Sequence, residues 1–134
     1  MQPSSMPLCE KPPSPTLQAA IRQFNAGAYF ACHETLEELW RDERGPLREF
    51  YQGVLQIAVG LNHLLRGNEA GAVALLNRGA GKVRSFAPAC LEIDVAALLA
   101  GTEQVLQDLA AEGLARTQAR AAELFPRIVP VASH

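Results

Sequence analysis

The chain has 134 residues, 49% of them hydrophobic and 19% charged, with a formal net charge of −2. That length favours one domain, large enough to bury a core without disulfides or structural metal, and the slightly acidic balance offers no basic field to hold a phosphate backbone, which excludes nucleic acid as an expected partner. No stretch reaches the ~18 uninterrupted apolar residues of a membrane span and the N-terminus has no apolar run of signal-peptide length, so a cytoplasmic protein without membrane contact is expected.

Pro3, Pro7, Pro12, Pro13 and Pro15 break any regular element at the start, and residues 1–15 read as a disordered tail. Apolar residues then recur at helical spacing. Thr16 is placed to cap a first helix carrying Leu17, Ala20, Ile21 and Phe24 up to Gly27. A second helix is expected from Tyr29 to Asp42, and a third from Pro46 to Arg66, ended by Gly67-Asn68. A fourth runs from Glu69 to Ser85 despite three glycines, a fifth from Asp94 to Glu112, and a short last one from Leu114 to Leu124. No segment reads as a good strand. The short connections predict an all-α fold, a compact bundle of about five to six mostly antiparallel helices. Residues 16–125 form its single domain, and residues 126–134 a loose C-terminal tail. Cys9, Cys32 and Cys90 are odd in number and widely spaced, which fits a reducing compartment and argues against a disulfide framework.

One face of the second helix is unusual. His33 and Glu37 share it with Phe30 and Trp40, two residues that favour burial, and Glu34 lies at its edge. The third helix is apolar nearly all round and so reads as central, yet Gln52, Gln56 and His63 fall on one stripe, flanked by Arg48 and Arg66. Buried amides and imidazoles need partners, at a cost of about 1–3 kcal/mol for each group left without one. The second helix can supply them through His33, Glu37 and Glu34. Gly53 and Gly60 are small enough to admit another helix at close range. The stripe is therefore either a hydrogen-bond network that fixes helix register or a polar pocket.

His33-Glu34-Thr35-Leu36-Glu37 opens like the zinc-protease helix, but that motif requires a second His where Glu37 stands. His33, Glu37 and His63 would make a His/His/carboxylate metal set. The di-iron signature is absent too, since Phe30 occupies the position three before His33. The motif is read as accidental and no metal is assigned.

The run Phe24-Asn25-x-Gly27-x-Tyr29-Phe30-x-x-His33-Glu34-x-Leu36-Glu37-x-x-Trp40, then Phe50 to Ala58, then His63-Leu64-x-Arg66-Gly67-Asn68-x-x-Gly71-Ala72, resembles the domain-of-unknown-function family 309. The likeness spans Phe24 to Leu76, with Val54 where the family usually has Leu or Ile. It implies an all-α bundle with no reaction attached. It also maps the family's signature onto His33, Glu34, Glu37, Trp40, Gln52, Gln56 and His63, the set grouped above by helical face.

The functional expectation is a binding or interaction domain that takes a small molecule or a protein partner in a polar pocket between the second and third helices. The alternative is a hydrolase with Glu37 or Glu34 as base, His33 or His63 as acid or metal ligand, and Arg48 or Arg66 for an anionic substrate. A homodimer is a third possibility. No glycine-rich phosphate loop or Ser/His/Asp order identifies a reaction or a cofactor.

Overall fold

The structure, a computed structural model, describes residues 7–131. The parts of the two expected tails before and after that range lie outside the described residues. Helix α1 (Pro15–Asn25) starts one cap earlier than expected. Ser14, in extended conformation, accepts from the Leu17 amide at 3.1 Å, and Pro15 takes the first helical position, so Thr16 is already inside the helix. Helices α2 (Tyr29–Asp42), α3 (Leu47–Leu65) and α4 (Glu69–Val83) follow. Gly67, at φ +84°, turns the chain out of α3, and Asn68 caps α4 by accepting from the Gly71 amide at 2.9 Å. Helix α5 (Val95–Glu112) is capped by Asp94, and Gly113 at φ +88° ends it. The expected last helix is split into α6 (Leu114–Ala119) and α7 (Ala121–Leu124).

The helical reading holds, with one addition. Strands β1 (Ala89–Cys90) and β2 (Ile93–Asp94) pair antiparallel. They are too short to carry a visible alternation, and their turn is made by Leu91 and Glu92 at positive φ rather than by glycine or asparagine.

The core is one hydrophobic cluster built around α3, with Phe50, Ile57, Leu61 and Leu64 fully enclosed. Glycines set its closest helix contact. A methyl group on Gly53 would stand 2.7 Å from Val83 Cγ1, and one on Gly60 would stand 2.8 Å from Leu76 Cγ. Gly79 returns the contact, its missing methyl lying 2.7 Å from the Gly53 carbonyl oxygen. These pairs put the start of α3 beside the end of α4, an antiparallel arrangement. The helix admitted by Gly53 and Gly60 is thus α4.

The chain ends do not trail loosely where the structure describes them. Residues 7–10 form a 3-10 turn, and the Cys9 carbonyl accepts from the Leu91 amide at 2.7 Å. Cys9 and Cys90 are joined in a disulfide between residues 81 apart in sequence. This corrects the reading against a disulfide framework: the long spacing hid the pairing, because only the folded chain brings the N-terminal segment to the hairpin. The compartment argument drawn from the cysteines falls with it. At the other end, Ile128 is buried, and its amide and carbonyl are both held by the Asn25 side chain at 2.7 and 2.8 Å. Val129 and Val131 bond the hairpin backbone at Asp94 and Glu92. Among the described residues no helix is long and apolar enough to cross a membrane.

Closing a loop of this length removes chain entropy from the unfolded state, on the order of 4–5 kcal/mol by that model. Cys90→Ala is expected to lower unfolding free energy by about 3 kcal/mol in urea titration, within the usual range of 2–5. Dithiothreitol should cause a similar loss in the parent protein and none in the variant. Equal midpoints for oxidised and reduced parent would show that the link contributes nothing.

Candidate functional site

Helices α2 and α3 lie side by side and antiparallel, as two contacts establish. Arg48, early in α3, stacks its guanidinium 4.3 Å from the centroid of Trp40, late in α2. His33, early in α2, lines the same cleft as His63, late in α3. Since α4 occupies the Gly53/Gly60 face of α3, the row Gln52, Gln56, Val59, His63 and Arg66 turns toward α2 and its edge. The spacing of that row is the i, i+4, i+7 repeat of a single helical face.

The cleft at the His33/His63 end measures about 370 Å³. Tyr29, Phe30 and His33 contribute from α2, and Val59, Asn62, His63 and Arg66 from α3 and its end. Phe30 is 61% exposed, with its ring centroid 5.9 Å from that of His33. This corrects the expectation that Phe30 is buried and draws His33 inward with it; both line an open rim. His63 has a defined neighbour. The Asn68 amide oxygen is occupied by the Gly71 N–H, so its NH₂ faces His63 Nδ1 at 3.3 Å. Nδ1 is then the acceptor, and the neutral ring carries its proton on Nε2.

The remaining sequence-selected residues lie elsewhere. Glu34 is exposed, and Glu37 is half exposed and pairs with Arg41 at 3.9 Å. Neither carboxylate lines the cleft. Arg48 does not flank an anion site beside His63: it stacks on Trp40 and donates from Nε to the Trp40 carbonyl at 3.2 Å. Gln52 and Gln56 are half-buried between the two ends. Trp40 Nε1, at the Arg48 end, and Gln56 Oε1 are buried without a hydrogen-bond partner among the described residues. Among the described residues no three His, Cys, Asp or Glu side chains converge to hold a metal ion. Tyr29, Val59 and Asn62 were missed as lining residues. Their signal was position alone: Tyr29 one turn before His33, Val59 one turn before His63, Asn62 beside it.

Behind the cleft the ionisable groups are shut in. Burial pushes the Cys32 thiol from an ordinary 9.0 up to about 12, which keeps it protonated and unreactive. Burial first and the neighbouring Cys32 second raise the Tyr29 phenol from 10.0 to about 12, against the opposing pull of Arg127. Tyr29 packs edge-on against Phe24 with centroids 5.5 Å apart, so its ring belongs to the core while its edge reaches the cleft.

Fold and site together describe a small helical bundle with an open cleft at one end of its α2–α3 pair, lined by both polar and apolar residues. Residues 17–75, from α1 into α4, match the model of the family described as Domain of unknown function (DUF309). This is the family that the sequence resembles, and the match reaches further toward the N-terminus than the Phe24 at which the likeness began. A stretch of 49 residues is 45% identical to the uncharacterized protein YpuF of Bacillus subtilis (strain 168). That stretch is 36% of this chain and only 28% of the relative's length. No solved structure matches the chain.

Two outcomes follow from the buried groups. Gln56→Met keeps the shape and removes the orphaned carbonyl, so it should leave stability unchanged or raise it by about 1 kcal/mol in urea titration. A loss of more than about 1 kcal/mol would mean that the amide has a partner and fixes register. The raised thiol has a sign as well: the fold holds a proton that the unfolded chain releases, so its contribution is whole below pH 9.0 and is lost as pH climbs to about 12. Urea midpoints should therefore fall over that alkaline range, less steeply in Cys32→Ala. Parallel slopes for the two proteins would remove Cys32 as the cause.

Proposed function

We propose that the protein is a small-molecule binding domain whose ligand occupies the cleft between α2 and α3, at the His33/His63 end. The observation that carries this is convergence: His33 and His63 come from different helices, and with Asn62 and Arg66 they line one open space of about 370 Å³. That volume lies in the range of small-ligand sites, and a few polar groups around an aromatic wall is their usual composition. Positions on helices, not on loops, hold such groups in fixed geometry.

The hydrolase alternative draws less support. Its base was to be Glu37 or Glu34, and neither reaches the cleft, while Glu37 lies within ion-pair distance of Arg41. A partner's helix would want a longer apolar floor than Phe30 and Val59 provide.

The test is amide NMR with a panel of sugars, amino acids, organic acids and nucleosides. At least one class should shift resonances of residues 29–33 and 59–66, and Val59→Trp, which fills the cleft, should abolish the shift while leaving the rest of the spectrum in place. Shifts that map elsewhere, survive Val59→Trp or fail to occur with any class would sink the proposal.

A further inference from the structure

The composition of the cleft narrows what it can hold, given the binding reading above. Arg66 is its one formally charged lining residue among the described residues, and no Asp or Glu faces it. Arg66 is exposed, and among the described residues no salt bridge engages its guanidinium. A guanidinium offers only donors, in a fork that matches a carboxylate or phosphate edge. His63 is biased the same way: with Nδ1 accepting from Asn68, the nitrogen left for a ligand is the N–H at Nε2. Asn62 adds an amide that can donate. Helix α2 also begins here, with Tyr29 and Phe30 in its first turn and no side chain of Ala28 to cap it, which adds the positive end of a helix dipole. Donors and positive charge thus outnumber acceptors.

The aromatic wall adds a second requirement. Phe30 is 61% exposed although it is one of the larger apolar side chains. Its ring meets His33 at 5.9 Å and lines the cleft without belonging to the core cluster. A flat or apolar portion of a ligand laid on this ring would remove from water the surface that the fold leaves open.

We infer that the cleft binds a small organic oxyanion, a carboxylate or phosphate monoester carried on a flat apolar group, with Arg66, His63 and His33 holding the anionic end and Phe30 covering the rest. A ligand of this kind meets each lining group with its complement: oxygen acceptors for the donors, negative charge for Arg66, and a ring face for Phe30.

The experiment is an amide NMR titration with four probes: phenyl phosphate, benzoate, inorganic phosphate and phenol. Phenyl phosphate or benzoate should shift residues 29–33 and 59–66 and bind at least about tenfold more tightly than phenol. The tighter of the two assigns the head group. Arg66→Gln should weaken the aromatic anions by about ten- to hundredfold and leave phenol unchanged. Phe30→Ala should weaken the aromatic anions and spare inorganic phosphate. Both residues are exposed, so neither change should disturb the fold, and unshifted resonances elsewhere verify that. Phenol binding as tightly as the anions, or anion binding indifferent to Arg66→Gln, overturns the oxyanion assignment while the cleft remains a binding site. No probe shifting the cleft also overturns the assignment, and the neutral classes of the wider panel then decide the binding reading separately.

Discussion

The close contact of α3 with α4 governs the rest of the structure. Gly53, Gly60 and Gly79 remove side chains where backbone meets Val83, Leu76 and the Gly53 carbonyl, so two helices meet at a distance that any methyl group would prevent. Glycine inside a helix costs roughly 0.5–1 kcal/mol relative to alanine. Three such positions are tolerated because the approach lets Ile57, Leu61, Leu64 and Leu76 enclose one another completely. With that face of α3 committed to α4, its polar row has only α2 and the edge beside it.

This commitment divides the polar stripe into two regions with different physics. At one end Arg48 covers Trp40, and the guanidinium is used by the ring and by a backbone carbonyl. At the other end Arg66 and His63 stand at the open rim of the cleft with Phe30 opposite. Two arginines flanking one helical stripe therefore have opposite fates. Arg48 faces the C-terminal end of α2, where Trp40 and a free carbonyl await a cation. Arg66 faces the N-terminal end, where among the described residues no Asp or Glu lines the cleft or pairs with it. Antiparallel packing alone produces the difference.

Helical periodicity made much of this legible. The limits of α2 agree with the Tyr29–Asp42 span expected from the sequence, and His33 and His63 were brought to the same helix pair by face analysis. Three features were not legible, each for a physical reason. The Cys9–Cys90 link depends on where an N-terminal segment folds back, which no local pattern encodes. The C-terminal segment reads as loose in the sequence, yet its amides find Asn25 and the hairpin, partners remote in sequence. Phe30 was assigned to the core because large aromatic residues usually go there. A helical wheel gives direction but not distance, and none of the described residues covers the ring on that side. Glu37 shares a face with His33 but does not line the cleft, and Arg41 one turn on lies 3.9 Å from it at the surface.

These remote ties bear on the cleft through rigidity. Asn25, at the end of α1, holds Ile128, and Tyr29, four residues on, packs between Phe24 and Phe125. The last turn of α3 is held as firmly: Gln118 of α6 donates to the Leu64 carbonyl at 2.8 Å, and the Asn68 backbone N–H donates to the His63 carbonyl at the same distance. Each wall of the cleft is thus fixed from behind by a contact between segments far apart in sequence, 103 residues for Asn25–Ile128 and 54 for Leu64–Gln118, while Phe30 and Arg66 at its rim stay exposed. A ligand entering there would order a few side chains but no backbone. Ordering of side chains and loops adds to the cost of any binding event, and the long-range ties that the sequence concealed lower that cost at both walls of the cleft.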